Sequence, residues 1–155
     1  MKPLSADIIN FLQGQEFVIV STLDSQGKIH CAAKGIVDID SRGKIYLIDL
    51  YQAHTYTNLQ KDPRISITAV NGHQFIGYTL KGRAKISQRA KIGRDMVEEW
   101  QKRVVQRISQ RVIRDVRADK KSPHHPEAKF PLPEYLIEVE VEDIVDLTPR
   151  HLKYR

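Results

Sequence analysis

A single cysteine, Cys31, rules out an intrachain disulfide and a cysteine-based zinc site. No window approaches the ~18 consecutive apolar residues of a membrane-spanning helix. The first residues, Met1 to Asp7, reach an acid before any apolar run forms, which argues against a secretory leader. These features point to a soluble protein of a reducing compartment, the cytoplasm. Aromatic residues are sparse, with one tryptophan, Trp100. There is no phosphate-cradling glycine loop, no nucleophile elbow and no paired-histidine zinc helix, so no familiar catalytic constellation is present.

What remains is an ordinary globular composition, with 41% hydrophobic and 28% charged residues across 155 positions. A chain of this length forms one domain and buries roughly two-thirds of its unfolded surface, enough to need no staple. The net charge of +6 is local. Arg89 to Lys121 holds eleven Lys and Arg against five Asp and Glu, leaving fourteen of each sign elsewhere. The basic character therefore belongs to one segment and not to the whole surface.

The pattern along the chain predicts a short helix over Ser5–Leu12, capped by Ser5 and ended by Gly14. The β-branched run Phe17–Leu23 reads as a buried strand, followed by strands over Lys28–Asp38 and Lys44–Leu50. Asp24-Ser25-Gln26-Gly27 and Asp40-Ser41-Arg42-Gly43 supply the turns between them. A second helix over Ala53–Lys61 stops at Asp62-Pro63. Alternating runs follow at Arg64–Val70 and Phe75–Ile86, and a last one at Tyr135–Val141. Between them a long helix is expected from Arg89 to Val116. Its apolar stripe would be Val97, Trp100, Val104, Ile108, Val112 and Val116, with Arg103, Arg107, Arg111 and Arg114 facing away.

The resulting division is a barrel core over 5–88, a basic helix over 89–121 and a closing strand over 133–147. The connections are mostly too short for parallel crossovers, so a mostly β, antiparallel barrel with flanking helices is the expected architecture.

Three isolated features bear on chemistry. His124 and His125 sit between prolines in a polar loop, where adjacent side chains point apart, so solvent exposure is favoured over metal binding. Cys31 beside Ala32 and Ala33 reads as a buried small hydrophobe. For the arginine face three readings compete: a solvated face, an anion-recruiting rim and a nucleic-acid surface. The near absence of stacking aromatics argues against the last.

A set of strings is more specific. Phe17 to Asp24 with Gly27 and His30, Gly43-Lys44-Ile45-Tyr46-Leu47, Asn58-Leu59 with Asp62-Pro63-Arg64, and Gly82-Arg83-Ala84 together resemble the pyridoxamine 5′-phosphate oxidase-like, FMN-binding split-barrel family. Leu136 to Val145 resembles its last strand. The resemblance implies a homodimer with FMN in clefts between subunits. It places Lys34 near the flavin, and Ile48, Asp49 and Leu50 along the ring. His54 and Thr55 fall where relatives hold the phosphate with an Arg/Lys or Lys-Thr pair. The implied activity is flavin-dependent oxidoreduction of an unidentified small molecule, with a non-catalytic sensor or carrier as the alternative. Within the fold, a deazaflavin or a haem is the alternative cofactor, the haem with His30 or His54 as its iron ligand. No catalytic residue and no metal site is assigned.

Overall fold

A computed structural model describes residues 1–51, 53–88, 93–118, 130, 131, 133 and 135–153. The chain runs α1 (Ala6–Gln13), β1 (Val18–Leu23), β2 (Ile29–Asp40), β3 (Lys44–Asp49) and α2 (His54–Lys61). It continues through β4 (Arg64–Asn71), β5 (Ile76–Gln88), α3 (Arg94–Arg117) and β6 (Tyr135–Asp146), then a 3-10 turn at Arg150–Leu152. The strands close a six-stranded barrel in the order β1-β2-β3-β6-β5-β4, every neighbouring pair antiparallel. The expected mostly β, antiparallel barrel with flanking helices is what forms.

Local chemistry sets the boundaries. Ser5 caps α1 by accepting from the Ile8 amide at 3.4 Å. Asp24 Oδ1 accepts from the amides of Gln26 and Lys28 at 2.8 and 2.9 Å, closing the β1–β2 turn on Gly27 at φ 76°. Asp62 ends α2, and its carboxylate grips Arg64 through both backbone amide and guanidinium. Asp-Pro-Arg is therefore a turn that locks α2 onto β4. At the β5–β6 seam, a Cβ on Gly82 would lie 2.0 Å from the Glu140 carbonyl oxygen, so only glycine lets the strands meet there.

Inward-facing residues from every strand make the core, among them Val18, Val20, Ile45, Leu47, Ile67, Leu80, Ile137 and Val139. A bulge between Ile36 and Asp38 leaves Val37 and Asp38 both outside the barrel while Ile36 and Ile39 enter its core. Val37, Ile48 and Leu136 then form a smaller apolar patch on the barrel's outer surface, covered by Met96 and Trp100 of α3.

Four expectations change. β1 is not buried on both faces: Phe17 before it and Ile19 within it are exposed, because a closed barrel takes only one face of each strand inward. Cys31 also points outward, its sulfur 3.4 Å from the Ser21 hydroxyl, and is exposed. On α3, Val112 is exposed together with Val105 and Ile113.

The arginines do not all turn away. Arg103, Arg107 and Arg111 are half-buried, and only Arg114 of the four is exposed. At about 100° per residue, Arg107 falls only about 20° from Trp100 around the helix, so both share the barrel-facing side. The helix starts at Arg94 among the described residues; Arg89, His124, His125 and the Val116 side chain lie outside them.

Candidate functional site

The β2–β3 surface and α3 enclose a cavity of about 330 Å³. Its floor is Ala33, Lys34, Gly35 and Ile36 of β2 with Ile48 and Asp49 of β3, continued by Leu50 and Tyr51. Its wall is Trp100, Arg103, Val104 and Arg107 of α3, and Phe17 and Phe130 close the rim. Strand register brings the polar floor together. Gly35 sits opposite Ile48, so Lys34 comes to Asp49, and Asp49 sits opposite Tyr135 of β6.

Asp49 is the hub of that floor and is only 2% exposed. The Lys34 ammonium and the Tyr135 hydroxyl both donate to its Oδ2, and the Tyr51 amide donates to Oδ1 at 3.2 Å. Burial pushes the Tyr135 phenol far above its ordinary pKa, and the hydrogen bond to Asp49 adds to the rise. It is therefore a permanent donor.

On α3, the Arg103 Nε is buried without a hydrogen-bond partner, and its ion pair with Glu99 spans 3.6 Å. The Arg107 guanidinium lies 3.8 Å from where a Cβ of Gly35 would stand, over the β2 backbone. The cavity thus combines an apolar lining with Lys34, which pairs with Asp49, Arg103, which pairs with Glu99, and Arg107.

Of the residues singled out from the sequence, Lys34, Ile48, Asp49 and Leu50 converge on this cavity. His54 and Thr55 do not line it. His54 is exposed at the start of α2, its ring 5.1 Å from that of His30, while the Thr55 side chain is buried. The α2 N-cap, Ala53, supplies no side-chain bond to the first turn. Asn58 anchors this helix by donating to the Thr22 hydroxyl of β1 at 3.0 Å.

Sequence reasoning missed Tyr135, Tyr51, Phe17 and the cavity-facing role of Trp100; for Arg103 and Arg107 it turned the side chains away from the packed face while keeping an anion-recruiting rim among its three readings. The helical spacing of Trp100, Arg103 and Arg107 carried that signal; nothing local marked Tyr135. Among the described residues, no group of three or more His, Cys, Asp or Glu is placed to hold a metal ion. No helix among them is long and apolar enough to cross a membrane.

Comparison with known proteins bears on this arrangement. HupZ from Group A Streptococcus shares the fold at TM-score 0.63 and 16% identity, over 94% of each chain. A putative pyridoxamine 5′-phosphate oxidase from Lactobacillus delbrueckii gives 0.62 at 12% identity, covering 94% of this chain and 95% of its own. An F420 reductase gives 0.61 at 11%, covering 92% and 98%. At these identities the likeness is one of fold. No curated protein matches. The sequence model of pyridoxamine 5′-phosphate oxidase, however, matches residues 4–143, nearly the whole chain. The closed barrel, its Asn-Leu and Asp-Pro-Arg anchors and this match agree: the chain belongs to the pyridoxamine 5′-phosphate oxidase family.

Proposed function

We propose that this protein is an FMN-binding flavoprotein that acts as an oxidoreductase on an anionic small molecule, working as a homodimer in the cytoplasm. The observation that carries the reading is the cavity between β2–β3 and α3, which joins an apolar lining to cationic side chains. Ile48, Leu50 and Trp100 offer the apolar lining, and strand-end backbone offers donors and acceptors for a ring edge. The buried Nε of Arg103 makes no hydrogen bond and meets Glu99 only at 3.6 Å, so it can still donate to an acidic ligand. When bound, FMN supplies two-electron transfer, so the chain itself needs no nucleophile.

The volume bears on the assembly. About 330 Å³ lies at the low end of ligand pockets, room for a ring system more than for a ring, ribityl tail and phosphate together. The phosphate end is assigned to the start of α2, where His54 and His30 stand side by side over an uncapped first turn. Thr55 contributes there through its amide, since its side chain faces the core. A second subunit completes the cleft, docking on exposed apolar residues that include Phe17, Ile19 and Val70.

Within this reading Lys34 orients the ring edge, while Arg103 and Arg107 bind the acidic group of the substrate and keep water from its charge. The test is an absorbance spectrum of the purified protein, with added FMN if it is colourless, followed by anaerobic mixing with NADH or NADPH. Flavin bands that bleach with either donor support an oxidoreductase. Flavin bands that neither donor bleaches favour a sensor or carrier. A protein that neither carries nor takes up FMN sinks the proposal.

A further inference from the structure

We propose that Asp49 and Tyr135 form a positioning pair that fixes the Lys34 ammonium against the cavity floor, with Tyr135 acting entirely through Asp49. Lysine has a flexible four-carbon stem, and left alone it turns its charge toward water. Here the Lys34 side chain is 11% exposed and its ammonium donates to a carboxylate that is itself buried. Bringing such a pair out of water is costly unless the remaining lone pairs are satisfied.

Asp49 meets that condition. Its Oδ1 takes the Tyr51 amide, and its Oδ2 takes the Tyr135 hydroxyl beside Lys34. Turning the carboxylate would break both supports, so the Tyr51 amide and the Tyr135 hydroxyl hold its direction independently of Lys34's flexible stem. The Tyr135 ring is fully buried, packed edge-on against Tyr56 at 4.8 Å, and its hydroxyl also lies 3.3 Å from the Tyr51 carbonyl. Tyr135 stands behind Asp49 and does not line the cavity, whereas Lys34 and Asp49 do. The phenol therefore touches no ligand in the cavity; it can influence one only through the carboxylate and the ammonium beyond it.

The consequence is a fixed cation on the floor of a cavity whose α3 wall carries Arg103 and Arg107. A ligand edge rich in acceptors meets donors from two directions. Lys34's part toward a bound ring rests on the flavin reading above; the positioning of its ammonium does not. An ion pair that merely knits β2 to β3 would need no third member and would be insensitive to one phenol oxygen.

The experiment uses the full chain, labelled with ¹⁵N, and a proton–nitrogen correlation tuned to lysine ammonium groups. These are visible only when hydrogen bonds hold their protons against exchange with water. The expected result is a protected signal that vanishes in Lys34→Gln and is lost or broadened in Tyr135→Phe. Tyr56→Phe leaves it, as it leaves the signal of Lys44, which Glu138 holds at 2.6 Å. Tyr135→Phe keeps the ring in the core, so folding survives for the measurement; Asp49→Asn is the stronger variant and removes the signal too.

A double-mutant cycle on FMN affinity, read by quenching of Trp100 fluorescence, tests the functional half. Tyr135→Phe is expected to weaken binding about tenfold in the native background and not at all in Lys34→Gln. A Lys34 signal that is missing in the native chain, or unchanged in Tyr135→Phe, overturns the proposal. Equal weakening of FMN in both backgrounds does the same. If native protein binds no FMN, the flavin reading falls, and the ammonium signal still decides the positioning.

Discussion

Asn58 offers the sharpest test of how α2 is held. Its amide donates to the Thr22 hydroxyl at 3.0 Å, and the two side-chain groups sit where water does not reach, 6% and 2% exposed. Asn58→Ala leaves the Thr22 oxygen without its donor in a dry site, a loss of about 2 kcal/mol for a buried polar group stripped of its partner. For a chain of this size that corresponds to a fall in Tm of about 4–8 °C. Thr22→Val keeps the shape and orphans the amide instead, at about 1–2 kcal/mol. Combining Thr22→Val with Asn58→Ala removes both polar groups, so the double variant should lose clearly less than the two single losses together. The assay is reversible thermal unfolding followed by circular dichroism at one fixed protein concentration. A drop of less than about 1 °C in Asn58→Ala, or strict additivity in the double variant, would refute the view that this bond pins the helix. On the proposed flavin reading, in which His54 at the start of that helix meets the phosphate, loosening Asn58 should also weaken FMN binding.

Three further outcomes are expected. Gly82→Ala drives a methyl to within 2.0 Å of the Glu140 carbonyl oxygen, so it should prevent soluble expression or destabilise the barrel by at least about 3 kcal/mol, read by denaturant unfolding. The hydrogen bonds from Arg64 hold the Asp62 carboxyl at about 2, below its ordinary 3.8. Its folded value is depressed, so the stabilisation is present above the ordinary value and is lost as pH falls toward 2. Arg64→Ala should raise the Asp62 titration part of the way toward its ordinary value, the residue-64 amide still donating, and an unmoved titration contradicts the pairing. On the flavin reading, His54→Lys should strengthen FMN binding and His54→Ala weaken it, because a fixed cation is the better phosphate partner. Affinity unchanged in both variants removes His54 from the site.

The strands were readable because β-branched alternation and Asp- or Gly-bearing turns are local signals, as at Arg64–Val70 and Asp24–Gly27. The Asn-Leu and Asp-Pro-Arg strings were readable as a family mark, and the structure supplies their reason: a buried bond to β1 and a turn that closes on Arg64. Half of the cavity floor was legible in the same way, in Lys34 and residues 48–50. Tyr135 was not, because its partner Asp49 lies 86 positions away and only the β3–β6 register brings them together. Arg103 and Arg107 were misplaced for a different reason. Counting charge as outward-facing ignores that a guanidinium can lay its stem along an apolar wall, which is how they share a face with Trp100. Cys31 was misjudged because composition does not say which side of a strand turns out of a barrel.

The six seams of the barrel are unequal. β5 and β6 pair from Tyr78 to Gln88 with one bulge between Lys81 and Gly82, whereas β1 meets β4 only where Ile19, Val20 and Ser21 face Thr68, Ile67 and Ser66. A cylinder that breathes opens first at its shortest seam, and here that would unroll it into a sheet with β1 at one edge and β4 at the other. Those bare edges are the surfaces on which chains stick to one another, and closure hides them. The resistance of this protein to aggregation then hangs on a few backbone bonds beside Ile19, and amide hydrogens on that stretch should exchange with water sooner than those between β5 and β6.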